Sequence, residues 1–252
     1  MDTVVYDRIE DVLGRIESLY GRVEDTYLVA KDILLGTQIG DWIADLKASG
    51  TASATYGDEE RMNILIANED AAKNQDVAKY LVQWAAANNK YGTYCGAACG
   101  AVSGVTWDSL TTPNAVMSNA TAFTALCGNS TAIYETLNVK SCRQAIWSNL
   151  SICDSIIRSN NTSLKAMQSL CKSSYKIESS YGTPLSGKYF LYYLQCHNNS
   201  NTFSAKLIYA PENTEETIPM SGYSNKDIVN RFVTYGESIG VAAIPACALD
   251  FS

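Results

Sequence analysis

The sequence predicts an elongated α+β protein with an N-terminal coiled coil and helices, a shaft of short helical repeats, and a C-terminal antiparallel β-sandwich-like tip. Residues 8–28 repeat every seven positions with the apolar spacing of a coiled coil. Residues 119–170 form five short units that each open on Asn and close on a large aliphatic residue. From Tyr181 onward, runs of aromatic and β-branched residues between polar turns are typical of strands.

Four regions follow from these patterns. We expect a coiled coil and anchor over residues 1–47, a helical region with a connector over 58–105, a repeat shaft over 106–175, and a β-rich tip over 181–252. The segment between the first two regions is rich in small residues, as is typical of a linker.

Composition restricts the function. The chain has 252 residues and a formal net charge of −7, which argues against a nucleic-acid partner. It has no apolar run long enough to cross a bilayer, so we expect no membrane insertion. Its first residues are acidic and amphipathic and lack the apolar core of a signal peptide, so we expect the chain to fold in a cytosol.

The N-terminal heptads start at Arg8, Arg15 and Arg22. Apolar residues occupy the two inner positions of each heptad, and a further apolar position widens the stripe, which favours more than two strands. The residues expected to join the copies are Val5, Ile9, Val12, Ile16, Leu19 and Val23. The alternative is an amphipathic helix that packs on a globular core.

The next region contains one long predicted helix. It runs from about residue 58 to residue 89 and carries an apolar face with acidic residues at its start. The stretch 91–105 is rich in Gly, Ala and Cys and is interpreted as a packed connector. It has no Gly-Lys-Ser/Thr sequence, so a phosphate-binding loop is not expected.

The repeat units open at Asn119, Asn129, Asn138, Asn149 and Asn161. Asn is a good helix N-cap, so each unit is predicted to be a capped helix of about two turns. Such helices are unstable alone, and we expect them to bury their apolar sides against neighbouring units or neighbouring copies of the chain, with a shaft built from several copies favoured by the small number of units. The expected shaft core is Phe123, Leu126, Ile133, Leu137, Ile146, Ile157 and Leu170. A continuous helix with an 11-residue repeat is the competing interpretation.

The eight cysteines are predicted to be mostly free, buried thiols that act as small apolar residues. Cys95 and Cys99 have a metal-like spacing, but no second pair accompanies them and His197 is the only histidine, so no metal site is expected. Six Asn-x-Ser/Thr triplets are explained better by capping than by glycosylation. No catalytic motif is present, and we expect neither an enzyme nor a cofactor.

The C-terminal region is predicted to contain a hairpin of strands 187–196 and 203–210, followed by strands near 228–235, 239–244 and 247–251. Its tyrosines are candidates for a binding face, although tyrosine in a strand more often serves packing. They are Tyr189, Tyr192, Tyr193, Tyr209, Tyr223 and Tyr235.

Residues 105–252 carry a resemblance to a known family. Trp107, Leu110, Thr111 and Ala115-Val116, together with the Asn/Ser-x-x-Ala-x-x-x-Leu units that follow, resemble the stalk of bacteriophage fibre proteins, particularly those of gut-bacterium phages. In that family a β-rich tip follows a string of units of about ten residues.

The resemblance implies a structural protein of the virion, assembled in the host cytoplasm. Together with the heptads it implies a parallel homotrimeric fibre whose N-terminus contacts other virion proteins and whose tip binds a host cell-surface glycan or protein. Two alternatives stay open: a secreted, disulfide-bonded and glycosylated binding ectodomain, and a capsid decoration or cement protein without a receptor role. Oligomeric mass and free-thiol content separate these possibilities.

Overall fold

The computed structural model of the chain describes residues 3–49, 59–178, 187–196, 203–220, 224–226, 230–235 and 243–252. Residues 1–50 form one compact unit and residues 51–252 form a second. The predicted repeat region and the predicted β-rich region therefore both belong to the second unit. The α+β class is confirmed, because the described helices all lie before residue 171 and the described strands all follow them.

The first unit is a single helix, α1, which spans Thr3–Ser49. At 1.5 Å per residue, its 47 residues extend over about 70 Å. Gly14 and Gly21 lie within it without interrupting it. All three heptads are therefore helical, as the sequence predicts.

The second unit begins with three short helices where one long helix was predicted. They are α2 (Glu59–Ala67), α3 (Glu69–Lys73) and α4 (Gln75–Ala87). The breaks lie at Asn68 and Asn74, which both have extended backbone conformations. Their side-chain oxygens accept hydrogen bonds from Ala71 N at 2.9 Å and from Asp76 N at 3.1 Å. Each Asn thus caps the helix that follows it, and the prediction of one helix over 58–89 is wrong.

The segment predicted as a packed connector over 91–105 begins with a helix, α5 (Tyr91–Cys99), several of whose residues are buried. Gly92 lies against the 3₁₀ turn Trp107–Ser109 and the residue after it. A Cβ atom at Gly92 would lie 2.0 Å from the Trp107 carbonyl oxygen, so only glycine fits at this contact.

The repeat region consists of short helices separated by one or two non-helical residues. Their bounds are α6 (Pro113–Met117), α7 (Ala120–Gly128), α8 (Ser130–Asn138), α9 (Lys140–Ser148), α10 (Leu150–Ser159) and α11 (Asn161–Leu170). The prediction of short helical segments is confirmed, and the continuous helix is excluded. Asn119 and Asn129 act as the predicted caps, accepting hydrogen bonds from Ala122 N at 3.0 Å and Ala132 N at 2.9 Å.

The later units depart from the predicted capping pattern. Asn138 is the last residue of α8, and Val139 begins the next helix without a side-chain cap. Asn149 stands at the start of α10, but its side chain donates a hydrogen bond back to the Ala145 carbonyl at 2.8 Å. The last helix is capped by Asn160, one residue before the predicted position. In these units the asparagines at the predicted positions therefore do not cap the helix starts.

The helices pack as a solenoid within one chain. Each contacts the next helix in sequence and also the helix three places further along: α6 packs on α9, α7 on α10 and α8 on α11. This arrangement has three helices per turn and makes two turns. Each short helix is thus packed against neighbouring helices, which stabilise it, because a helix of two turns is unstable in isolation. Neighbouring units of the same chain supply these contacts, and the favoured assignment of the repeat core to contacts between copies is wrong.

The described strands form one antiparallel sheet. Their bounds are β1 (Lys172–Glu178), β2 (Lys188–Cys196), β3 (Phe203–Tyr209), β4 (Thr214–Met220), β5 (Ser224–Lys226), β6 (Arg231–Tyr235) and β7 (Ala243–Asp250). The order is β1-β7-β2-β6-β3-β4, and β5 also pairs with β2. The predicted hairpin of β2 with β3 is wrong, because β6 lies between them and β3 instead turns back into β4.

The helical solenoid takes the place of the predicted second sheet. Trp147 of α9 packs against Phe232 and Phe251, with ring centroids 6.0 and 6.2 Å apart. Arg143 Nε donates a hydrogen bond to the Asp250 carbonyl at 2.7 Å. These contacts join the solenoid to the sheet through aromatic packing, so the sandwich-like arrangement predicted for this region is wrong.

Candidate association surface and ligand cleft

The first candidate surface is the apolar stripe of α1. The side chains of Ile16, Val23 and Ile33 are 43, 63 and 66 % exposed. Exposed apolar side chains recur along the helix from Ile9 to Leu35. A contiguous apolar surface of this kind marks an interaction site in a soluble protein. The predicted association residues from Ile9 to Val23 are therefore exposed, while the Val5 side chain lies outside the described part of the chain.

Opposite charges flank this stripe. Successive residues on an α-helix rotate by about 100°, which places Arg8, Arg15 and Arg22 on one side of the apolar positions. The same rotation places Glu10, Glu17 and Glu24 on the other side. All six residues are exposed. The stripe therefore has one basic and one acidic margin.

The second candidate is a cleft between the solenoid and the sheet. It has a volume of about 510 Å³, and its lining residues come from α10, α11, β3, β4 and β6. They are Arg158, Leu164, Tyr209, Glu216, Asn230 and Arg231. Two guanidinium groups, a carboxylate, an amide and an aromatic ring thus surround one opening.

The charged groups of the cleft are held by neighbours. The Arg231 guanidinium lies 4.8 Å from the centre of the Tyr209 ring, and its Nη2 atom is 3.2 Å from a Glu212 carboxylate oxygen. The Tyr209 hydroxyl donates a hydrogen bond to Glu216. Burial and this carboxylate raise the pKa of Tyr209 to about 12, so the hydroxyl stays protonated at neutral pH.

Arg158 is held on the helical side of the cleft. Its Nε atom donates to both carboxylate oxygens of Asp154, at 2.9 and 3.0 Å, and Asp154 is buried. These contacts raise the pKa of Arg158. Each of the two cations has a carboxylate partner, and the Glu216 carboxylate accepts a hydrogen bond from the Tyr209 hydroxyl. The cleft therefore offers hydrogen-bonding groups and an aromatic ring, which suit a polar ligand.

The predicted shaft core lies inside the solenoid. Six of its seven residues are fully buried within one chain, and Leu170 is half-buried. Of the candidate tyrosines, Tyr209 lines the cleft, while Tyr189 and Tyr192 are half-buried on β2. The side chains of Tyr193, Tyr223 and Tyr235 lie outside the described part of the chain.

The described cysteines are free, as predicted, and Cys95, Cys127, Cys142 and Cys153 are buried. Burial raises the pKa of both Cys127 and Cys142 to about 12, so these thiols are protonated at neutral pH. They occupy core positions as small apolar side chains do. The Cys196 side chain and His197 lie outside the described part of the chain.

Sequence patterns did not identify the cleft. Its residues are distributed from position 158 to position 231, on two helices and three strands. The seven-residue repeat of Arg, a β-branched residue and Glu along α1 is visible in the sequence and favours the coil, while the placement of the two charges on opposite margins follows from helix geometry.

Over the described ranges, no group of three His, Cys, Asp or Glu residues is placed to hold a metal ion. Within the same ranges, no helix has the length and hydropathy needed to span a membrane. Comparisons of the chain with protein-family models, curated proteins and solved structures find no match.

Proposed function

We propose that this chain is a structural protein of a virion, in which α1 joins copies into a parallel homotrimer that forms a fibre or a similar appendage. The observation that supports this proposal is the exposed heptad stripe of α1, together with its basic and acidic margins. Exposure of this much apolar surface is unfavourable unless a partner covers it.

The charges on the margins favour a parallel arrangement of identical copies. In a parallel ring, the Arg8–Arg22 margin of each helix faces the Glu10–Glu24 margin of the next. In an antiparallel pair related by a twofold axis, like margins face each other, so Arg meets Arg and Glu meets Glu. The attraction across exposed pairs is modest, but six charges per helix set the orientation.

The width of the stripe favours three copies over two. Leu13, Tyr20 and Tyr27 extend the stripe beyond the two inner heptad positions, and a two-stranded coil leaves such positions exposed. A threefold bundle covers these positions and joins three copies of the second unit in one assembly. Multivalent attachment of weakly binding sites then gives avidity without high affinity at any single site.

In this proposal the second unit carries the recognition surface. The solenoid-and-sheet cleft, which contains Tyr209, Asn230 and Arg231, supplies the hydrogen-bonding groups and the aromatic face for a polar ligand on the host cell surface. The N-terminal part of the chain contacts other virion proteins. The chemistry of the cleft supports binding, and we propose no enzymatic role.

The oligomeric mass in solution tests the proposal. Light scattering should give three times the 27.4 kDa chain mass for the full chain. Ile16→Asp places a carboxylate in the centre of the stripe and should dissociate the trimer. Ser18→Asp adds the same charge on the opposite, outer face of α1 and should leave the mass unchanged. A monomeric wild-type chain contradicts the proposal.

A cross-linking experiment tests the orientation. In a parallel bundle, residue 16 of each copy lies level with residue 16 of its neighbours. An Ile16→Cys variant should therefore give an interchain disulfide on mild oxidation, which non-reducing gels detect. A Ser18→Cys variant, with its thiol on the outer face, serves as the control and should cross-link weakly. Equal cross-linking of the two variants argues against a parallel coil.

A further inference from the structure

Two cysteines meet at the point where the solenoid passes into the sheet. Cys171 follows the last solenoid helix and directly precedes β1, while Cys247 lies in β7, the C-terminal strand. β1 and β7 are antiparallel neighbours, with Lys172 opposite Ala248. The pairing therefore brings two residues that are 76 positions apart in sequence to one place.

The Cys247 thiol lies against Cys171. Cys247 Sγ donates a hydrogen bond to the Cys171 carbonyl oxygen at 3.5 Å. Cys171 Sγ lies 4.0 Å from the Phe190 carbonyl oxygen of β2. Because Lys172 is opposite Ala248, Cys171 and Cys247 are diagonal neighbours across the antiparallel pair, and closure of a disulfide needs the two strands to shift slightly toward each other.

This pair differs from the other described cysteines. Cys95, Cys127, Cys142 and Cys153 are buried, so an external oxidant does not reach them. Cys99 is half-buried but has no thiol partner at hydrogen-bonding distance among the described side chains. Cys171 and Cys247 combine partial exposure with a partner thiol.

We propose that Cys171 and Cys247 form an oxidative modification site, at which an intrachain disulfide closes when the protein leaves a reducing compartment. The oxidant is a small-molecule disulfide such as oxidised glutathione. The thiolate of one cysteine attacks the glutathione disulfide, forms a mixed disulfide and releases one reduced glutathione. The second thiol displaces the second glutathione, so two protein thiols and one oxidised glutathione give one protein disulfide and two reduced glutathiones.

The disulfide joins the start of β1 to the C-terminal strand. It closes a long loop that contains nearly the whole sheet, so it restricts the unfolded chain more than the folded one. The solenoid–sheet junction is thereby stabilised outside the cell, where a virion protein no longer meets cytosolic reductants. The modification is intramolecular and does not depend on the proposed trimer.

The rate of closure should rise with pH. Burial raises the pKa of both Cys171 and Cys247, so each thiol is largely protonated at neutral pH. Because the thiolate is the attacking species, the exchange is slow near neutrality and accelerates as the pH rises.

Non-reducing peptide mapping of the full-length protein tests the proposal. The protein is incubated with oxidised glutathione at about pH 8.5, near the ordinary thiol pKa, and free thiols are then alkylated. We expect one linked peptide pair that contains Cys171 and Cys247, with the buried thiols still reduced. The chain should run as a monomer on non-reducing denaturing gels. Dithiothreitol should reverse the link.

Thermal unfolding gives a second measurement. Oxidation should raise the Tm of the wild type by several degrees, and Cys171→Ser and Cys247→Ser should each abolish that rise. Cys99→Ser is the matched control and should keep it. The proposal is overturned if both thiols remain open to alkylation after oxidation, or if the link joins other cysteines or two chains. The mapping of the wild type decides the question even if a serine variant fails to fold.

Discussion

The substitution Ile133→Ala tests whether the solenoid core is complete within one chain. Ile133 is fully buried in α8, a helix that packs against α7, α9 and α11 of the same chain. Replacing a buried Ile by Ala costs about 2–5 kcal/mol through lost burial and the remaining cavity. In a unit of this size each kcal/mol lowers Tm by about 2–4 °C, so we expect a loss of about 4–20 °C.

The assay is thermal unfolding followed by circular dichroism, on the full chain and on residues 51–252, over a series of protein concentrations. The loss should be the same at every concentration, because a core within one chain unfolds in a unimolecular step. Ser130→Ala, at an exposed position of the same helix, is the control and should change stability by less than about 0.5 kcal/mol. A Tm of residues 51–252 that rises with concentration would refute the reasoning, because it would show that other copies complete the core.

Three further predictions concern the second unit. Gly92→Ala should destabilise this unit by about 1–3 kcal/mol in chemical unfolding, because the added Cβ would lie 2.0 Å from the Trp107 carbonyl oxygen. The control Gly128→Ala adds a Cβ with no atom within 4 Å and should not destabilise the unit. Equal losses for the two variants would contradict the argument. Arg158→Met leaves the buried Asp154 carboxylate without its partner and should cost about 1–3 kcal/mol by the same measurement. The double variant with Asp154→Leu should recover most of that loss, and no recovery would argue against the ion pair as its cause. Burial raises the pKa of Glu135 above 4.5, so the folded state binds more protons than the unfolded state and stability falls as the pH rises from 4.5 through the folded pKa. Glu135→Gln removes this pH-dependent loss of stability. The Tm of the variant relative to that of the wild type should therefore rise from acidic to neutral pH, and a difference that is constant with pH would contradict the assignment.

Local signals explain the success of the helical prediction in the repeats. Asn119 and Asn129 bond to backbone amides within their own helices, so a few residues of sequence suffice to specify the helix start. Asn68 and Asn74 cap their helices in the same way, but they lie within a stretch whose apolar periodicity predicts one continuous helix. The apolar spacing of one long helix and that of three short helices are similar over this length.

Pairing of strands depends on contacts that are distant in sequence. β2 and β3 follow each other and resemble a hairpin, but β6 lies between them, with Phe190 opposite Phe232. Their rings lie 5.2 Å apart, in contact with the aromatic cluster that Trp147 joins. Burial of this cluster against the solenoid selects the sheet order, and such burial leaves no local pattern in the chain.

The sequence alone determined the heptad helix with its basic margin, the short helical units and the buried free thiols, because each depends on residues within one or two helical turns. The tertiary structure decided that the units form a three-helix-per-turn solenoid within one chain, and that one sheet packs on it. It also brought together the cleft residues around Tyr209 and Arg231 and the thiols of Cys171 and Cys247. These groups meet only because long-range burial, and not local spacing, fixes which helices and strands become neighbours.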